Sequence, residues 1–112
     1  MDQAKIAEHG NALYEALRAR HTLSPLTTRW PEITIADAYH VSLHMVNRRI
    51  HDDGEVIIGK KIGVTSKAVQ EMLDVHQPDF GYLTDRMLYE NGGDMPISQL
   101  LIQPRAEGEI AF

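Results

Sequence analysis

Apolar residues recur at two different periods along the chain, and the change of period divides it. Between Asp2 and Arg20, Ile6, Leu13 and Leu17 fall at helical spacing with alanine and glycine between them. Ser24-Pro25 and Trp30-Pro31 then punctuate an extended linker. A second helix is expected from Thr34. Thr34 and Asp37 have capping-box spacing, with Asp in place of the usual Glu. Ile35, Ala38, Tyr39, Met45, Val46 and Ile50 share one side at about 100° per residue. Asp53-Gly54 is a natural stop, because glycine accepts the left-handed conformation that follows a helix.

From Glu55 the period shortens. Val56-Ile57-Ile58 and Ile62-Gly63-Val64 read as strand. Thr65 or Ser66 caps a short helix running to Leu73, with Ala68, Val69 and Met72 expected inward. His76 to Gly81 reads as a loop bracketed by proline and glycine. Met87-Leu88-Tyr89 and Met95-Pro96-Ile97 flank Asn91-Gly92-Gly93-Asp94, which predicts a hairpin. A last strand is expected from Arg105 to Phe112, where Ala106, Gly108, Ile110 and Phe112 alternate with Arg105, Glu107, Glu109 and Ala111. A strand that stops on Phe112, with no turn or partner after it, reads as a truncation. The pattern is that of an α+β chain. Residues 1–54 form a helical region, and 55–112 form the first, incomplete part of a β domain.

Composition narrows the partners. The 112 residues carry a net charge of −5 with scattered Lys and Arg, which argues against nucleic acid and against an anionic membrane surface. There is no cysteine, which excludes disulfides, thiolate metal sites and a cysteine nucleophile, and fits a cytoplasmic setting. No apolar run approaches the roughly 20 residues that span a bilayer.

Three places carry candidate chemistry. Glu107 and Glu109, two apart in a strand, leave the same face roughly 6.5–7 Å apart at Cα. Such a pair can converge on one hard cation such as Mg²⁺ or Ca²⁺. The ordinary alternative is a solvated face with Arg105 as counter-charge. Lys60 and Lys61 point to opposite sides of their strand. Lys61 lies in a row with Gly59, Gly63 and Thr65, nearly bare of side chains, so a ligand or another backbone could approach closely. There the lysine could serve as an acid/base group or an anion anchor. The ordinary alternative is a surface lysine on a Gly-rich edge strand. Asp79 follows a proline, where aspartate is commonly a turn former; a catalytic carboxylate on a rigid loop is the sharper option. His40, His44 and His51 fall within about 40° of one another on a helix. They lie opposite the apolar stripe, on a solvent or contact face, and lack the glutamate of a zinc-protease motif. Arg49 falls within the stripe and is expected to snorkel or to pair with an acid.

Three motifs, in order and at matching intervals, carry a resemblance. They are Gly59-Lys60-Lys61-Ile62-Gly63-Val64-Thr65-Ser66-Lys67-Ala68-Val69-Gln70, His76-Gln77-Pro78-Asp79-Phe80-Gly81-Tyr82-Leu83, and Leu101-Ile102-Gln103-Pro104-Arg105-Ala106-Glu107-Gly108-Glu109-Ile110-Ala111-Phe112. Together they resemble the N-terminal part of the 2-oxopent-4-enoate (2-hydroxypenta-2,4-dienoate) hydratases of aromatic meta-cleavage catabolism, within the fumarylacetoacetate hydrolase superfamily. The resemblance implies a helical N-terminal region followed by a mixed β-roll, and a lyase that adds water to 2-hydroxypenta-2,4-dienoate using Mg²⁺ or Mn²⁺. It implies Glu107 and Glu109 as metal ligands, with a third acidic ligand further on and without counterpart here. It implies Lys61 and Asp79 as catalytic groups, and Thr65 and Ser66 as substrate-binding residues. A homo-oligomer, and a complex with a sister decarboxylase, are expected of the full-length protein.

Three other readings stand beside this one, the first being a hydratase for a longer dioate. The sister 2-oxo-3-hexenedioate decarboxylase shares fold, metal and Glu-x-Glu. Alternatively, the 112 residues alone are a non-catalytic fragment or a binding module, expected to be inactive and poorly folded in isolation.

Overall fold

The structure is a computed structural model that describes residues 2–112. Its elements are α1 (Gln3–Ala19), α2 (Leu26–Arg29), α3 (Ile35–His51), β1 (Ile57–Gly63), α4 (Lys67–Met72), β2 (Asp79–Thr84), a 3₁₀ turn (Asp85–Met87) and α5 (Ile97–Leu100). The α+β class holds. Among the described residues the β part is one antiparallel pair, β1 against β2.

The helical half forms where local signals place it. The Asp2 carboxylate accepts from the Lys5 amide at 3.0 Å and caps α1. Thr34 and Asp37 exchange side-chain and backbone hydrogen bonds at 3.0 and 3.1 Å, completing a capping box on α3. Gly54, at φ 71°, takes the left-handed turn after the helix. Helices α1 and α3 pack together over a core of Ile6, Trp30 and Val41, edged by Leu13, Leu26 and Ile33. Gly10 permits the approach, since a Cβ there would meet His44 Cδ2 at 2.6 Å.

The expected stripe on α3 is borne out at Val46, which is 3% exposed, but the buried face is wider than the stripe, and the stripe's first residue lies outside that face. Val41 is fully buried and Ile35 is 64% exposed. Val41, His44 and Arg48 share the row that meets α1, because residues three and four apart stack on one helical face. His44 thus lies against a neighbouring helix: its Nε2 donates to Asn11 Oδ1 at 2.9 Å.

Several expectations in the second half fail, among them the loop expected at 76–81, since Asp79 opens β2. No strand forms at residues 105–112, which are exposed and irregular. Alternation marks a strand, but the strand exists only when a neighbour completes its ladder, and the described residues supply none. Asn91-Gly92 does turn, with the Gly93 amide donating to Glu90 O at 2.9 Å, yet no strands flank it. Helix α4 forms with Ser66 as its N-cap as expected, but Val69 and Met72 are 36% and 74% exposed, so its apolar side is not buried.

A buried ionic joint ties the two halves together. Glu55, just before β1, accepts from Arg49 Nε and Arg18 Nη2 at 2.8 Å each, and from Thr84 Oγ1 at 2.5 Å. These donors come from α3, α1 and the end of β2. Arg49 pairs with an acid, as its place in the apolar stripe suggested. Burial disfavours a charge on Glu55, but the hydrogen bonds from Thr84, Arg49 and Arg18 outweigh it and hold the carboxyl below the usual glutamate range. Tyr14 and Arg18 also grip Asp53, with the tyrosine hydroxyl donating at 2.8 Å.

Candidate active site

The β1–β2 register decides what meets what. Lys61 pairs with Gly81, Gly63 with Asp79, and Ile62 with Phe80. Because side chains alternate, Lys61 and Asp79 leave the same face of the hairpin, while Lys60 leaves the other, where its Nζ lies 5.7 Å from the Tyr82 ring centre. Asp79 is thus the first residue of β2 and not part of a free loop. The rest of the Lys61 row is glycine, and beta carbons added at Gly59 or Gly81 would meet nothing within 4 Å. The Asp79 carboxylate leans over Gly63, with Oδ1 2.8 Å from where a Cβ would stand.

The irregular 105–112 segment returns to this face. Lys61 Nζ donates to Glu109 Oε1 and Oε2, each at 2.5 Å, across 48 residues of sequence. The bond to Glu109, with the charges of Glu109, Glu107 and Asp79, raises the Lys61 pKa. The same bond and charge lower that of Glu109. Glu107 and Glu109 both lie near Lys61, although no strand aligns them. Both ends of the ion pair are exposed, so its value to stability is small.

Ser66 and Thr65 lie at the turn into α4. The Ser66 hydroxyl accepts from the Val69 amide at 3.2 Å, and Thr65 is exposed. The turn itself is strained: Val64 sits at φ 56°, a conformation β-branched residues rarely adopt. Gln70 Nε2 holds it by donating to Val64 O at 3.0 Å. No sequence signal marked this strain.

An open groove of about 910 Å³ adjoins these groups. Lys61, Gly63 and Asp79 line it together with Ile35, Ala38 and Tyr39 of α3. The Tyr39 and Phe80 rings stack at 4.7 Å and join α3 to the hairpin. That aromatic contact was not foreseen; its only trace was the aromatic Tyr39 within the apolar stripe of α3.

Two carboxylates and a neighbouring groove suit a hard divalent cation in donor chemistry. Among the described residues, however, no three of His, Cys, Asp and Glu converge as a metal site. In their place the Lys61 ammonium supplies positive charge beside Glu109.

These features place the chain in a recognisable class. It superposes on 4-oxalocrotonate decarboxylase from Pseudomonas putida G7, solved with magnesium and adipate, with a TM-score of 0.70 and 30% identity over 77% of this chain and 32% of that one. The same enzyme has been solved with calcium and acetate. No family model matches the chain. It is 63% identical over all 112 residues to the 2-hydroxypent-2,4-dienoate hydratase of Pseudomonas putida, covering 50% of that protein. It is 61% identical to the 2-hydroxyhexa-2,4-dienoate hydratase of Comamonas testosteroni over 99% of this chain and 42% of that protein. The 4-oxalocrotonate decarboxylase sequence of Pseudomonas putida is 37% identical. In sequence the chain is similar across its whole length to these 2-hydroxydienoate hydratases. It spans half or less of the length of the relatives it matches.

Proposed function

We propose that these residues work within a hydratase-length, cytoplasmic polypeptide that adds water to 2-hydroxypenta-2,4-dienoate and yields 4-hydroxy-2-oxopentanoate. The observation that carries this reading is the 63% identity to a named hydratase across a span that includes all three motifs. Within that polypeptide, residues 1–54 serve as the helical region and 55–112 as the opening of a β-roll catalytic domain. The working assembly is a homo-oligomer, open to association with a sister decarboxylase.

Glu107 and Glu109 would hold a divalent cation, Mg²⁺ or Mn²⁺, together with ligands from outside these residues. Bound there, it supplies Lewis acidity at the substrate's carboxylate and 2-oxygen. The chemistry needs two proton movements. The enol proton leaves and the terminal carbon, C5, gains one, giving an α,β-unsaturated 2-oxo acid. Water then adds across that double bond, with hydroxyl to C4 and a proton to C3. Lys61 and Asp79 share one face of the hairpin and exchange these protons. Thr65 and Ser66, which do not line the groove, would bind the substrate from the turn into α4.

Product analysis tests the reading. The full-length protein is expected to convert 2-hydroxypenta-2,4-dienoate to 4-hydroxy-2-oxopentanoate without releasing carbon dioxide. Carbon dioxide from 2-oxo-3-hexenedioate, with no hydration, would transfer it to the decarboxylase branch.

A further inference from the structure

Two residues on the lining of the groove hold a left-handed backbone without being glycine. Val64 and Asp74 each have φ 56°. Aspartate tolerates that region through its short polar side chain, whereas a β-branched valine is an outlier there. Such a residue persists only where its surroundings over-determine it. Val64 directly follows β1, and Asp74 lies just past α4. The two reversals carry the chain from Gly63 out through α4 and back to Asp79, the partner of Gly63 across the hairpin.

One residue holds both reversals. Gln70 Nε2 donates to Val64 O at 3.0 Å, and Gln70 O accepts from the Val75 amide at 2.9 Å. The second contact uses a backbone carbonyl, which any residue would supply at a helix C-terminus. The first needs a side chain of this length that carries a donor. Gln70 is half-buried and does not line the groove, so it can act on a substrate only through what it holds.

We propose that Gln70 is a positioning residue: by fixing the Val64 carbonyl it holds the left-handed turn that sets Lys61 and Asp79 against Thr65 and Ser66. This rests on the hydratase reading and adds to it a residue that touches no substrate. Val64 is the one residue between the Gly63–Asp79 pair and the Thr65–Ser66 turn, so its conformation decides how the two stand to each other. Its carbonyl belongs to the planar peptide that joins it to Thr65, and holding that oxygen holds the plane. Without the donor, the valine relaxes toward regions where its Cβ is not crowded, and Thr65 and Ser66 swing relative to Lys61. A misplacement of about 1 Å is worth about 100-fold in rate.

The experiment compares wild type, Gln70→Leu and Gln70→Glu in the full-length protein with 2-hydroxypenta-2,4-dienoate and Mg²⁺, reading kcat, KM and the melting temperature. Leucine keeps the bulk and removes the donor; glutamate keeps the shape and sets an oxygen where the donor stood. Each variant is expected to lower kcat by about 10–100-fold, with KM within about threefold of wild type. The melting temperature should fall by no more than about 4 °C, as the loss of one part-buried hydrogen bond allows. In a Val64→Gly background, where glycine takes the left-handed region without strain, the loss of kcat on Gln70→Leu should be at least about fivefold smaller. Unchanged kcat in either variant that folds would leave the hydratase standing and overturn the proposal. So would an equal loss of kcat in the Val64→Gly background, because Gln70 would then act by another route. If neither Gln70 variant folds, Gln70 serves stability alone and the proposal falls. A wild-type protein that does not hydrate the dienoate would overturn the hydratase reading and this inference together.

Discussion

Glu55→Gln removes the charge at the centre of the joint between helices and hairpin while keeping nearly the same shape. The Glu55 side chain is 2% exposed and that of Arg49 is 10% exposed. Loss of one partner leaves Arg49 buried without a counter-charge, for which broken buried pairs indicate about 3–5 kcal/mol. The Arg18 side chain is 41% exposed, so water screens its share, and about 3 kcal/mol is the appropriate figure. In a protein of roughly 150–250 residues that lowers the melting temperature by about 6–12 °C. Circular dichroism melts of the full-length protein and the variant would read it. The pH dependence follows from the lowered Glu55 pKa. A carboxyl depressed on folding contributes stability above its unfolded value, near 4.3, and loses it as pH falls through the folded value. The gap between wild type and variant should thus be constant near neutrality and close below about pH 4. Replacing both partners by apolar residues, Glu55→Leu with Arg49→Met, should recover most of the loss. A shift below about 2 °C for Glu55→Gln, or a gap that widens in acid, would refute the buried joint.

Further outcomes follow from the same geometry. Lys61→Met and Asp79→Asn should each lower kcat by about 10²–10⁴ with the fold intact, as steady-state rates beside melts would establish. Gly10→Ala should destabilise by about 1–3 kcal/mol in urea unfolding, because the new methyl meets the His44 ring and Cβ, which the helix pair cannot easily move. The 112-residue chain alone should show no turnover of the dienoate. It should also self-associate in sedimentation, since Ile58, Ile62 and Phe80 on the hairpin are 50%, 62% and 45% exposed.

The helical half was legible because its signals are local. The Thr34–Asp37 capping box, the Gly54 stop and the periodicity of α1 act within a few residues. The face of α3 was only partly legible, since Val46 and Arg49 are buried as the stripe suggested while His44 answers to Gly10, a partner far away in sequence. The 105–112 segment shows the same limit from the other side, since its alternation was real but strand formation depends on a neighbour. The candidate site was legible as motifs and not as geometry. Lys61 and Asp79 share a face because of the register Gly63–Asp79, and Glu109 meets Lys61 through a coil that periodicity did not describe. The Glu55 joint left one clue, an arginine inside an apolar stripe.

Under the proposed function, hydration depends on a divalent metal that Glu107 and Glu109 would hold. Its most direct test is the ultraviolet decay of 2-hydroxypenta-2,4-dienoate with the full-length protein, in Mg²⁺ and in excess chelator, beside Glu107→Gln. Rapid decay in Mg²⁺, lost in chelator and lost in the variant, is the predicted result. Decay that survives both chelation and Glu107→Gln would contradict the account.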